Sequence, residues 1–511
     1  MRTFVTTALC FGLALAVGTA ASAPAPITKK SPVPKVAPIA SIKPPAKDSS
    51  ESLRPKLAIE RFTLSNGLRV VLNPDPTSPT VSVVVWYDVG SRNERAGEGG
   101  FAHMFEHLMF EGTPKVPRGQ YDTLITGRGG KLNAATSEDW TRYFEMLPSS
   151  ELSLALFLES DRMQSLKVDQ EAFENQRKVV QEEYRMRVAN APYVKGYFKL
   201  NELLYDGWLP YAHPAIGSMK ELDEAKIEWV RAFHDAYYAP NNAVLVIAGD
   251  FPSDDAKALV HKYFDGLARH EIKAFDAPKF TPRETGVGPV TVDDALARTP
   301  MAYLGWVIPP DGEKDHYALE VAATILTGGE SSRQHRRLVR DLAWAQDVDA
   351  DTNDHRGPDL FEIDARLADC AGKPVVDPKT KESVCKTPVK IEDVERVAQE
   401  EIDDLAKRGP TAVELSTARA KIEHSFLFGL QSNLSRAMVL AKFEGQRGDA
   451  SLLAGEVEKY LAVTADDVKA ATAKWLKAKT AGKVRVVPAT KSAQRMGEKP
   501  AEKAAAKKAV K

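Results

Sequence analysis

The sequence predicts an α+β fold built from two related halves, and three observations carry that reading. The chain has 511 residues, too many for one small domain, and 43% of them are hydrophobic, enough for packed cores. Its first half alternates strand-like and helix-like apolar runs. Its second half restarts in the same order, with a strand in "TPMAYLGWVIP" and a helix in "HYALEVAATILTGG", as a diverged internal duplication would.

The elements follow in order. "RFTLSNGLRVVLNPD" is a hairpin, because Asn66-Gly67 supplies a turn between two apolar runs. "PTVSVVVWYDVGS" reads as a buried strand, and after the Gly-rich "AGEGG" a helix begins in "FAHMFEHLMF". A strand pair in "KLNAATSEDWTRYFEMLP" and a helix in "ELSLALFLESDRM" complete a sheet-and-helix unit. Asp169 to Arg187 forms a long polar helix, and "NAVLVIAGDF" is another buried strand. The expected boundaries are a first domain at 57–270, a charged, Pro-containing linker at 271–288 and a second domain at 289–488.

The two ends have a different character. Arg2, the apolar "FVTTALCFGLALAV" and the small residues "GTAASA" read as a secretory signal over residues 1–23, cleaved near Ala20 to Ala23. Cys10 lies inside that signal and leaves with it. Residues 24–56, rich in Pro, Ala, Ser and Lys, form a disordered spacer, and the Lys/Ala-rich 489–511 a solvated tail. The expected protein is exported and periplasmic. No later segment reads as a transmembrane helix, and a formal net charge of -1 gives no hint of nucleic acid. Cys370 and Cys385 remain, in a polar loop rich in Pro and Lys, and an oxidising compartment favours their disulfide.

The chemistry lies in "HMFEH". His103, Glu106 and His107 sit at positions i, i+3 and i+4, so one helix face presents all three. Two imidazoles one turn apart can grip one metal ion, and Glu106 is placed to act as base. A catalytic zinc site takes three protein ligands and keeps one position open, so one ligand is still missing. The candidates are Glu182 and Glu183 in "ENQRKVVQEEYRM". Neighbours on a helix point about 100° apart, so only one can face the metal. Val179 and Val180 are both expected to bury the helix, and periodicity leaves the choice open.

The spacing His-x-x-Glu-His is the inverzincin signature. With "GGKLNAATSEDWTRYF", "ENQRKVVQEE", "HPAIGS" and "PNNAVLVIAGDF" in the same order, residues 57 to 488 resemble the pitrilysin (insulinase) family of zinc peptidases. The likeness is to its half-length bacterial members, which are similar to mitochondrial processing peptidase. The resemblance implies two duplicated domains, each a mostly antiparallel sheet packed with helices. It implies one zinc ion per chain on His103, His107 and Glu183, with Glu106 activating the water. Glu183 lies seven residues after Gln176, where many members carry a second glutamate that assists without binding metal. The family offers the strand at Asn133, Ala134 and Ala135 to an extended peptide substrate, whereas Arg142 and Tyr143 read as structural.

The implied activity is that of an exported zinc endopeptidase acting on peptides or unfolded segments. The alternative is a non-catalytic peptide-binding or assembly subunit, which would have no need of all four site residues. In the family, a second half supplies an arginine and a tyrosine seven residues apart to hold substrate and stabilise the oxyanion. The matching segment here, "RRLVRDLAWAQDVDA", puts Val339 and Gln346 at those positions, with Arg340 and Trp344 out of register. A heterodimer with a related chain that carries the pair is therefore the expected assembly.

Overall fold

The computed structural model describes residues 57–166, 168–371, 375–376, 383–385 and 387–489. The expected signal, spacer and tail lie outside the described residues, apart from Ala489.

The first half contains β1 (Glu60–Thr63), β2 (Arg69–Pro74), β3 (Thr80–Tyr87), β4 (Lys131–Thr136), β5 (Thr141–Pro148) and β6 (Ala243–Gly249). They form one sheet in the order β1-β2-β6-β3-β5-β4. Only β2 and β6 run parallel; every other neighbouring pair is antiparallel. The β1–β2 turn is the expected one. Gly67 takes φ 94, and Asn66 Oδ1 accepts from the Leu68 N–H at 3.1 Å.

The second half contains β7 (Val287–Asp294), β8 (Met301–Ile308), β9 (Ala345–Thr352), β10 (Asp359–Leu367), the short pair β11 (Val375–Val376) and β12 (Ser383–Val384), and β13 (Gly482–Pro488). Its main sheet runs β7-β13-β8-β10-β9. The duplication is explicit here. β7 and β13 are parallel and all other neighbours in that sheet antiparallel, repeating strand for strand the pattern β2-β6-β3-β5-β4. The helix Lys314–Thr327 follows β8 as the helix Phe101–Leu108 follows β3. β7 is a departure from the sequence reading, since it begins inside the expected linker and precedes "TPMAYLGWVIP". Apart from the buried Asp294 its residues are exposed or half-buried, and Pro289 sits within it, as suits an edge strand with little apolar signature.

Each half lends a helix to the other's sheet. Alternate residues of the first sheet, Val83, Val85, Leu245 and Ile247 among them, face the core shared with Phe101, Phe105 and Leu156. The opposite face, with Val84, Trp86, Val244 and Val246, is covered by Ala437, Leu440 and Ala441 of the helix Asn433–Arg447. In return Leu200 and Leu204 of the helix Val194–Leu204 pack on Tyr303, Val484 and Val486 of the second sheet. Covered on both sides, β6 is buried at every position, which is why "AVLVIAG" is continuously apolar rather than alternating. Among the described residues no helix is long and apolar enough to cross a membrane.

Candidate metal centre

The helix Phe101–Leu108 starts at Gly100, whose φ of 91 turns the chain sharply out of the preceding loop. Ala102, Met104, Phe105 and Leu108 fix its inner face in the core. His103 and His107 stay half-buried on the other side, their ring centroids 4.8 Å apart, with Glu106 buried beside them.

The third group comes from the helix Gln170–Tyr184, which Asp169 caps by accepting from the Ala172 N–H at 2.9 Å. Glu183 is buried on its inner face, with Oε2 3.6 Å from His103 Nε2 and 3.2 Å from His107 Nε2. Glu182 points outward and pairs with Arg185 at 2.9 Å, so the two adjacent carboxylates are physically separated. Val180 is fully buried as expected, but Val179 is 46% exposed. The buried stripe runs through Ala172, Phe173, Val180 and Glu183, and Val179, turned about 100° from Val180, falls at its edge, just beyond Ala172.

His103, His107 and Glu183 each offer a ligand atom, all within 4.8 Å of one another. Ligands held at about 2.0–2.2 Å from a tetrahedral ion lie roughly 3.3 Å apart, close to the two separations from Glu183. This donor set fits one borderline-soft divalent ion. The other oxygen of Glu183 is held by Arg187 at 2.7 Å. Arg187 lies in a π-helical turn, Arg185–Ala189, that continues the helix. The pair at i, i+4 was visible in the sequence as spacing alone. Despite its burial, Glu183 is lowered to about 2 by His107, His103 and Arg187.

Glu106 behaves oppositely. Burial raises it to about 7, partly offset by His107 and by the hydroxyl of Thr136, which donates to Oε2 at 2.5 Å. Thr136 is the last residue of β4, so the candidate base is tied to the strand expected to hold substrate. β4 is the sheet's edge, pairing with β5 alone among the described residues. On it Asn133 is exposed and accepts the Ala134 N–H at 2.9 Å, while Ala134 and Ala135 are buried. Arg142 and Tyr143 are buried framework. One guanidinium, that of Arg142, lies 4.3 Å from the Trp140 ring, and another, that of Arg162, lies 4.4 Å from the Tyr143 ring. Gln176 donates its amide to Glu111, whose other oxygen meets Arg118 at 3.2 Å.

Comparison with known proteins fits this geometry. Residues 69–197 match the family model described as insulinase, peptidase family M16, and residues 225–422 that of the peptidase M16 inactive domain. The chain belongs to the peptidase M16 family. An uncharacterized zinc protease of Mycobacterium tuberculosis is 30% identical over 416 residues, 81% of this chain and 90% of that one. The zinc protease PqqE of Helicobacter pylori is 35% identical over 282 residues, 55% of this chain and 63% of the relative, under two thirds of its length. A crystal structure of a protease from Helicobacter pylori superimposes with a TM-score of 0.76 at 27% identity, covering 84% of this chain and all of that one.

The "inactive" half of this M16 chain carries its own donor cluster, which sequence reading missed. Asp311, His316 and Asp354 converge, but Lys442 sits 3.2 Å from Asp311 and 2.9 Å from Asp354, and Arg447 2.5 Å from Asp311. Two side-chain cations already neutralise it. In the segment expected to lack the arginine–tyrosine pair, Val339 packs against the second core and Gln346 donates to the Leu367 carbonyl at 2.9 Å. Arg340 is exposed and pairs with Asp341 at 2.8 Å. Cys370 and Cys385 are joined by a disulfide.

Proposed function

We propose that this protein is an exported zinc-dependent endopeptidase acting on peptides or unfolded polypeptide segments. His103, His107 and Glu183 would hold the ion, and Glu106 is the general base. The observation that carries the reading is the convergence of three donors of the type zinc prefers, with the buried carboxylate of Glu106 on the same helix turn as the two histidines. The zinc proteases among its relatives support the choice of metal. Zinc, when bound, supplies a Lewis acid that polarises the scissile carbonyl and lowers the pKa of a water. The residues do the rest. The outer edge of β4 aligns an extended peptide by main-chain hydrogen bonds, with Asn133 releasing the Ala134 N–H to it. Glu106, steered by Thr136, takes the proton of the attacking water and returns it to the leaving amine. Arg187 keeps one oxygen of Glu183 occupied, so that the other is the ligand.

The half without the arginine–tyrosine pair makes a heterodimer the working form. The deciding experiment is purification of the mature chain with metal analysis, followed by cleavage of a mixed peptide library with and without chelator. About one zinc per chain and chelator-sensitive cleavage are expected. A chain that binds no zinc, or that cleaves equally well after chelation, would refute the reading.

A further inference from the structure

The motif "HPAIGS" has no place in the site described so far, yet every polar residue in it bears on the helix that carries His103, Glu106 and His107. His213 Nε2 lies 2.9 Å from Glu94 Oε2, and its Nδ1 lies 2.9 Å from the Leu209 carbonyl. Both partners are acceptors, so both ring nitrogens donate and the ring is the imidazolium; against its burial, Glu94 holds it at about 9. Glu94, its side chain sealed from solvent, accepts the Gly100 N–H at 3.0 Å and the Ala102 N–H at 2.8 Å, two of the orphan amides of the metal helix. Ser218 donates to Glu221 at 2.7 Å, and Glu221 accepts the Gly99 N–H at 3.2 Å. The two glycine segments interlock: a Cβ on Gly217 would lie 2.4 Å from the Gly99 carbonyl oxygen, and one on Gly100 2.8 Å from that of Ile216.

We infer that His213 and Glu94 are a positioning pair, which clamps the N-terminus of the metal helix and so sets where His103, Glu106 and His107 stand. The inference rests on the proposed zinc site, but the clamp exists in the protein without metal. A neutral or missing partner at 213 leaves a buried carboxylate without its countercharge, and Glu94 then relaxes away from the two amides. The metal ligands lose their preorganisation while β4, on a different element, keeps its peptide edge.

The test compares His213→Ala, His213→Gln and the parent in the full mature chain. Zinc affinity is read by competition with a chelating dye, and hydrogen–deuterium exchange of residues 101–108 is followed in the metal-free protein. His213→Ala should lose zinc affinity about 10- to 100-fold, the usual effect of removing an outer-shell partner. Exchange in 101–108 should rise, and kcat should fall with KM for peptide unchanged. His213→Gln restores one donor to Glu94 and should fall between His213→Ala and the parent. If His213→Ala does not fold, His213→Gln alone decides, by the same two readouts. Zinc affinity and exchange within twofold of the parent would overturn the inference. Unfolding of His213→Gln would overturn it too, because the pair would then serve the whole half and not the helix. A parent that binds no zinc would sink the proposed function, while the exchange experiment would still judge the clamp.

Discussion

Glu106 and Glu183 both lie beside His107, and their surroundings push them in opposite directions. Burial dominates at Glu106, which has a hydroxyl and no close cation as its hydrogen-bond partner, whereas Glu183 is surrounded by two imidazoles and a guanidinium. One group is thus suited to accept a proton near neutrality and the other to remain an anionic ligand. Glu106→Gln keeps the shape and all three ligands but removes the proton acceptor, so zinc content should stay at the parent level and turnover should fall about 10²- to 10⁴-fold. Steady-state rates alongside metal analysis check it, and near-normal turnover would remove Glu106 from its role. The adjacent carboxylates offer a second contrast. Glu183→Gln should weaken zinc binding sharply, while Glu182→Gln, which breaks only an exposed pair with Arg185, should leave it within about twofold. Metal titration of both variants separates them, and the reverse ranking would mean that Glu182, one position along the helix, is the residue that faces the metal. At this scale the sequence was most legible for groups that share a helix turn. Glu94 and His213 are 119 residues apart, and no local pattern announces a pair made by tertiary folding.

Whole elements were legible where they carry their own signature. The β1–β2 turn, the continuous apolar run of β6 and the helix after "AGEGG" all declare themselves through turn chemistry or periodicity. β7 does not, because an exposed edge strand needs no apolar face, and Val179 is apolar yet exposed because it lies at the edge of its helix's buried stripe. The exchanged helices were also out of reach, since the partner of each lies in the other half. Glycine marks both crossings. A Cβ on Gly445 would lie 2.4 Å from Trp86 Nε1, and one on Gly196 would lie 2.3 Å from Val486 Cγ2. In a helix interior, alanine normally gains about 1 kcal/mol over glycine. At Gly445 overpacking against the fully buried Trp86 costs about 1–3 kcal/mol, or more if the helix is pushed off the sheet. Gly445→Ala should therefore fail to stabilise the chain, and Gly445→Val should lower its denaturation midpoint clearly. Gly266→Ala, where an added methyl meets nothing within 4 Å, is the control and should hold the midpoint or raise it slightly, by restricting the unfolded chain. Equal tolerance at the two sites would mean that the helix Asn433–Arg447 does not hold its close seat on the first sheet.

Across the whole molecule, the two sheets repeat one strand pattern but keep different chemistry. The first half holds its charges open toward a metal. The second fills the corresponding kind of cluster with Lys442 and Arg447, so the duplication leaves a single candidate centre among the described residues. Contacts between the halves reach the turn that follows β4. His355 stacks on Tyr211 at 4.1 Å, and the Arg356 N–H donates to Asp139 in the β4–β5 turn at 2.8 Å. The second half thus braces the β4–β5 turn, while Gln346 is engaged with the Leu367 carbonyl and Arg340 faces solvent. On the proposed reading the preorganised donors aimed at the developing charge come from another chain, and losing even one such donor costs about 10²- to 10³-fold in turnover. Purified alone, the chain should bind zinc yet cleave peptides at least about 10²-fold more slowly than in the presence of a related chain carrying the arginine–tyrosine pair. Mixing the two should restore activity along with a heterodimer detectable by analytical ultracentrifugation. Full activity from the isolated chain, unchanged on adding the partner, would show that this M16 half completes its own transition state.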